Sequence, residues 1–168
     1  MITSMLPMHI PDGFLSLAVS LVLWVISLAV LVYALGRVQK QLDSRTIPLM
    51  GVMGAFIFAA QMINFTIPAT GSSGHIGGGL LLAIILGPYA AFLTIASVLL
   101  VQALFFADGG LLAIGCNIFN LGFFPCFLVY PLIYKKLVKE SFSKWKVIAV
   151  SVLAAVIGLQ LGAFCVVL

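Results

Sequence analysis

Apolar residues fill two early blocks without a single charge, residues 14–35 and 47–67, and a third runs from about 75 to 107. A helix of about 20 residues crosses a hydrocarbon core of about 30 Å, so each of the first two blocks is long enough to span a bilayer once. The third is a different case: about thirty residues in one straight helix would reach about 45 Å, well beyond the core. Gly87-Pro88 lies inside it, with a glycine suited to end one helix and a proline suited to the first turn of the next. The pattern therefore predicts helices near 14–36, 46–65, 76–86, 89–106, 111–134 and 147–168. The fourth of these is a full crossing, whereas 76–86 is too short to span alone and is tolerated only among other helices. The fold class is all-α, a single polytopic transmembrane domain over 1–168 with about six membrane helices.

Composition supports the same class, since 64% of the 168 residues are hydrophobic and 7% are charged, against about a quarter charged in soluble domains. The formal charge of +4 does not point to nucleic acid, because the bases sit in two short loops rather than along a face. Arg37, Lys40 and Arg45 follow the first block, and Lys135, Lys136, Lys139, Lys144 and Lys146 separate the last two. By the positive-inside bias both loops are expected in the cytoplasm of a cell-membrane protein whose N-terminus is outside. A single crossing over 75–107 would put the two loops on opposite sides, a second reason for the break at Gly87. Three regions then share the outer side: the segment before Phe14, the loop 68–79, and the turn Asp108-Gly109-Gly110. The first apolar block is too long for a cleavable signal core and lacks a small-residue cleavage site. Cys116, Cys126 and Cys165 stand singly, without disulfide or zinc spacing, and read as small packing residues.

Both histidines of the chain, His9 and His75, fall in those outer regions. Histidine is the commonest metal ligand, yet two histidines equally fit interfacial side chains bonded to headgroups or backbone. If Met8 is the true initiator, its amine lies beside His9, and the amine, the deprotonated His9 backbone nitrogen and His9 Nδ1 form two fused chelate rings in one plane. His75 can then fill the fourth corner. Four nitrogens in a plane suit nickel(II) or copper(II), can force low-spin cobalt(II), and fit tetrahedral zinc poorly. Asn64, Gln102, Asp108, Asn117 and Asn120 are polar groups within or at the outer ends of helices, where unpaired burial is costly. They are expected to orient the histidines from behind, and for Gln102, Asn117 and Asn120 plain helix-to-helix hydrogen bonding stands beside that reading. Gly77 to Gly79 likewise suit close helix approach.

Four ordered motifs carry a resemblance over nearly the whole chain from Met8: Met8-His9-Ile10-Pro11-Asp12-Gly13-Phe14-Leu15, Gly71-Ser72-Ser73-Gly74-His75, Gln102-Ala103-Leu104-Phe105-Phe106-Ala107-Asp108-Gly109-Gly110, and Asn117-Ile118-Phe119-Asn120-Leu121-Gly122. They resemble the CbiM/NikM family, the substrate-capture (S) components of cobalt and nickel energy-coupling-factor transporters, a kind of ABC transporter. The resemblance implies a metal site made by the Met8 amine, the backbone nitrogen and ring of His9, and the ring of His75, in the metal-capping segment 8–13. It implies Ni²⁺ or Co²⁺ as transported substrate, no cofactor and no enzymatic activity in this chain. The implied partners are a transmembrane coupling protein, two cytoplasmic ATPases, a small accessory membrane subunit in many systems, and membrane lipid. Residues 1–7 precede the methionine whose amine the family uses, so they are expected to be untranslated or removed. The family has one more helix beyond the position of Leu168, and this chain is expected to lack it. Two rival classes remain: a membrane-embedded metalloenzyme using His9 and His75 with Asp108 as acid or base, and a structural subunit whose histidines bind nothing.

Overall fold

The structure, a computed structural model, describes residues 8–40, 43–67, 72–139 and 143–167; the expected extension 1–7, loop positions 68–71 and Leu168 lie outside the described residues. Helix α1, Leu17–Gln39, starts later than the apolar pattern suggests, because Ser16 Oγ accepts a hydrogen bond from Val19 N at 3.3 Å and caps it. Helix α2, Thr46–Gln61, is shorter than expected. Its predicted last turn instead leads into strand β1, Phe65–Ile67, which pairs antiparallel with β2, Ser72–Gly74, Phe65 standing opposite Gly74. The periodicity of 47–67 could not foresee this hairpin, since a continuous apolar run looks alike as helix or strand.

The break at Gly87-Pro88 is present. Helix α3, Gly79–Leu86, ends on Gly87 at φ +78°, a conformation costly for any residue with a Cβ, and helix α4, Pro88–Phe106, opens with Pro88 in its first turn. Four of the eight residues of α3 are buried, Gly79, Leu80, Leu82 and Ala83, so the short helix is enclosed by its neighbours. A rod then runs through α5, Ile114–Ile118, a π-helical stretch, Phe119–Tyr134, and α6, Lys135–Lys139. Pro125 and Pro131 lie inside that stretch and each withholds a backbone N–H. The wider winding carries the ladder past them, as in the Lys135 N–H donating to Tyr130 O, five residues back. Helix α7, Lys144–Val167, closes the described chain.

Four of these helical spans are long and apolar enough to cross a membrane: Leu17–Gln39, Pro88–Phe106, Ile114–Val138 and Lys144–Val166. Their outward faces are bare hydrocarbon, with Val25, Val32 and Phe105 exposed by 67%, 71% and 77%, which only a lipid solvent makes inexpensive. The core is packed around Phe92 and Ile95 of α4, with Ile57, Leu82 and Ile114 from three neighbouring elements. At one end of the bundle Arg37 lies over the rings of Tyr33 and Tyr89, 5.8 and 5.3 Å from their centroids. At the other end meet the N-terminal segment, the stretch after the hairpin, and the turn 107–113.

Candidate metal centre

Residues 8–12 form no regular element, so their backbone groups need partners elsewhere. They find them in the turn after α4 and in α5. Gly110 N donates to Ile10 O at 2.9 Å, Ile10 N donates to Asn117 Oδ1 at 3.1 Å, and Asn117 Nδ2 donates back to Ile10 O at 3.2 Å. Asp12 receives three backbone N–H groups, Leu111 on Oδ2 at 3.2 Å and Leu112 and Ala113 on Oδ1 at 2.8 and 3.2 Å. A carboxylate there caps the turn that enters α5 and meets its positive end. Gly109, at φ +91°, passes so close that a Cβ would lie 3.0 Å from His9 Cβ and 3.2 Å from Asn117 Nδ2.

This stitching delivers His9, 6% exposed, to the carboxylate of Asp108. Oδ1 accepts from Met8 N at 2.8 Å and His9 N at 3.3 Å, and Oδ2 faces His9 Nδ1 at 3.0 Å. Burial pushes the Asp108 carboxyl up, but the hydrogen bond and charge of the His9 ring, with the two backbone N–H groups, outweigh it and hold the group below the usual carboxylate range. The three nitrogens singled out in the sequence thus converge on one side chain.

His75 arrives from the other side, its ring centroid 5.0 Å from that of His9 at an interplanar angle of 61°. Its Nδ1 lies 3.0 Å from Ile76 O and its Nε2 3.1 Å from Met8 O. Carbonyls only accept, so a ring with one proton satisfies one of these contacts and turns a lone pair toward the other. His9 has the same shortfall: with Nδ1 engaged by Asp108, the buried Nε2 has no hydrogen-bond partner among the described residues. Two imidazoles, a carboxylate and two carbonyls therefore crowd one place, and a buried ring nitrogen there stands without a hydrogen-bond partner among the described residues. No group of three or more His, Cys, Asp or Glu side chains with metal-holding geometry occurs among the described residues, so an ion here needs backbone or terminal nitrogens as well. A cavity of about 180 Å³ adjoins the rings, lined by Met8, His9, His75, Asn117, Asn120 and Gly162 among others.

The remaining candidates divide. Asn117 fastens the His9 segment, as described. Asn120 lines the cavity, with Nδ2 donating to Cys116 Sγ at 3.3 Å and Oδ1 buried without a partner. Gln102 is fully buried, donating from Nε2 to Gln61 Oε1 at 3.0 Å. Asn64 is exposed between α2 and β1, and no hydrogen bond joins it to either histidine among the described residues. Gln61 and the capping role of Asp12 escaped the sequence reading. A glutamine near the end of an otherwise apolar helix was the available signal for Gln61; Asp12 gave none beyond its place in the first motif.

Fold and site together define a polytopic helical membrane protein in which a buried histidine, His9, meets a partly buried one, His75, at one end of the bundle. The chain belongs to the CbiM family, described as the cobalt uptake substrate-specific transmembrane region, which matches residues 9–168. It is 42% identical over 156 residues to the "Putative fused nickel transport protein NikMN" of Archaeoglobus fulgidus, covering 93% of this chain and 50% of that protein. It is 37% identical over 114 residues to the fused nickel transport protein NikMN of Rhodobacter capsulatus, covering 68% of this chain and 33% of that protein. The crystal structure of a truncated transition metal transporter superposes with a TM-score of 0.82 at 35% identity, covering 93% of this chain and 71% of that one. The chain thus spans about half the length of its Archaeoglobus relative.

Proposed function

We propose that this chain captures Ni²⁺ or Co²⁺ as the substrate-binding S component of an energy-coupling-factor importer. The observation that carries the reading is the convergence of Met8 N, His9 N and His9 Nδ1 on Asp108, with the His75 ring 5.0 Å from that of His9. Those are the nitrogens of a planar chelate, gathered in advance by one carboxylate. The incoming ion takes the Met8 amine, the His9 backbone nitrogen, His9 Nδ1 and the His75 ring as its four donors. Binding then releases protons and strengthens as pH rises. Asp108 yields Nδ1 to the ion and stays beside it as a compensating negative charge.

The basic residues set the orientation. All eight Lys and Arg of the chain cluster at the helix ends flanking two connections, positions 37–45 and 135–146, at the end opposite the histidines, so that end faces the cytoplasm and the pocket opens outward. A transmembrane coupling protein and two cytoplasmic ATPases, in many systems with a small accessory membrane subunit, drive inward release, and this chain hydrolyses nothing itself. A metalloenzyme reading is weaker, because a four-nitrogen plane leaves only axial positions for the water that hydrolysis needs.

The test begins by defining the mature N-terminus by mass spectrometry. Uptake of nickel and cobalt in the presence of the partner subunits is then compared for the parent, His9→Ala and His75→Ala. Each substitution is expected to reduce uptake at least tenfold. Parental uptake by both variants would overturn the reading.

A further inference from the structure

Two glutamines lie sealed inside the bundle, Gln61 in the last turn of α2 and Gln102 in α4, both 0% exposed. Primary amides sealed inside a membrane bundle are costly unless paired. Gln61 is paired at both ends: Nε2 donates to Gly77 O at 3.1 Å, and Oε1 accepts from Gln102 Nε2 at 3.0 Å. Gln102 Oε1 stays buried without a partner among the described residues. An aliphatic pair would fill this space but withdraw the donor on Gly77 O, so the amides are not there for packing alone.

The connections of the pair lead to the two halves of the site. Through its side chain Gln61 grips the backbone two residues after His75. Through its main-chain carbonyl Gln102 accepts from Asp108 N at 3.2 Å, and Asp108 holds His9. The same face of α2 also touches the stretch sterically, because Ile57 lies one turn before Gln61 and a Cβ on Gly78 would come within 2.7 Å of Ile57 Cγ2. A Cβ on Gly77 would in turn lie 2.9 Å from Leu159 Cδ2 of α7. The backbone at Gly77 and Gly78 thus runs between hydrocarbon walls, and the hydrogen bond on Gly77 O comes from Gln61.

We infer that Gln61, held in its rotamer by Gln102, is a positioning residue that fixes His75 opposite His9 and so sets how tightly the pocket holds its ion. The inference rests on the metal-capture reading above. Position 61 needs a donor toward Gly77 and an acceptor toward Gln102 at the same time. Glutamate keeps the acceptor and loses the donor, and leucine loses both.

The experiment is a titration of the purified full chain in detergent with Ni²⁺ alone, after its mature N-terminus has been defined. The variants are Gln61→Leu, Gln61→Leu with Gln102→Leu, His75→Ala, and Gln61→Leu with His75→Ala. Gln61→Leu is expected to weaken nickel binding about tenfold or more, the usual effect of losing a group that orients a ligand, and to shift the visible absorption of the bound ion. The double leucine variant should bind as weakly yet melt above Gln61→Leu, because it strands only Gly77 O, whereas the single variant also strands the buried amide of Gln102. His75→Ala should lose more, and in that background Gln61→Leu should cost nothing further, since residues acting through one another are not additive.

If His75→Ala weakens nickel while Gln61→Leu binds like the parent, or if the two losses multiply in the combined variant, Gln61 does not act through His75 and the inference falls. Unfolding of both leucine variants also overturns it and marks the pair as purely structural. If His75→Ala itself binds like the parent, the failure lies one level up, in the metal-capture reading.

Discussion

Asparagine in place of Asp108 keeps the side chain's shape and removes its charge, which isolates what the carboxylate does for the N-terminal segment. In the parent the carboxylate receives Met8 N, His9 N and His9 Nδ1 at 2.8, 3.3 and 3.0 Å. The amide still offers one oxygen to the two backbone donors, but it turns an NH₂ toward Nδ1, and His9 must move its proton to Nε2 to accept from it. What is lost is the charge assistance on three hydrogen bonds. A hydrogen bond to a charged group contributes about 1.5–3 kcal/mol, roughly twice a neutral one, so the total is about 2–4 kcal/mol. Release of the segment should therefore become roughly 30- to 700-fold more frequent, at about 1.4 kcal/mol per factor of ten. Hydrogen exchange on metal-free protein reads this directly. The His9 and Ile10 amides should exchange faster in Asp108→Asn by that factor, while the amides around Ile95, deep in α4, keep the parental rate. Unchanged exchange at His9 and Ile10 would refute the view that Asp108 gathers the segment.

Acid should do reversibly what Asp108→Asn does permanently. The Asp108 carboxyl lies below its ordinary value of 3.8 in the folded protein, so its contribution is fully present above about 3.8 and disappears as pH falls through the lower folded value. Exchange protection of the segment, corrected for intrinsic rates, should be level from pH 7 to 5 and fall below about pH 4; a profile as flat in the parent as in Asp108→Asn would remove Asp108 from the account. Gly109→Ala should destabilise the protein by about 1–3 kcal/mol, combining a left-handed backbone with overpacking against His9, and should weaken nickel binding. Gly36→Ala is its control, with nothing within 4 Å of the added methyl, and a Gly109→Ala variant that melts and binds like Gly36→Ala contradicts the packing argument.

Much of the architecture was legible because lipid permits so few solutions. A run of apolar residues must satisfy its own backbone, so helix positions follow from length, charge and the Gly87-Pro88 break. The exceptions have local causes. The hairpin Phe65–Ile67 with Ser72–Gly74 depends on a cross-strand partner, which a one-dimensional pattern does not contain. The π-helical winding of Phe119–Tyr134 depends on how two prolines share their neighbours' carbonyls. Among the candidate residues, His9, His75 and Asp108 came together as their shared end of the bundle suggested, whereas Asn64 stands apart. Gln61 was missed because its role lies in one hydrogen bond to a loop sixteen residues away.

Residue order and composition alone imply a bundle of membrane helices, broken at Gly87, with both histidines in connections expected at one end. Composition and period suffice for that, because transfer into lipid is a sum over residues. It took the packed fold to show that Met8, His9 and His75 line one cavity, that Asp108 faces three nitrogens of the first segment, and that Gln61 bonds both Gly77 and Gln102. Hydrogen bonds are pairwise and directional over a few ångströms, so their partners exist only once the helices have packed.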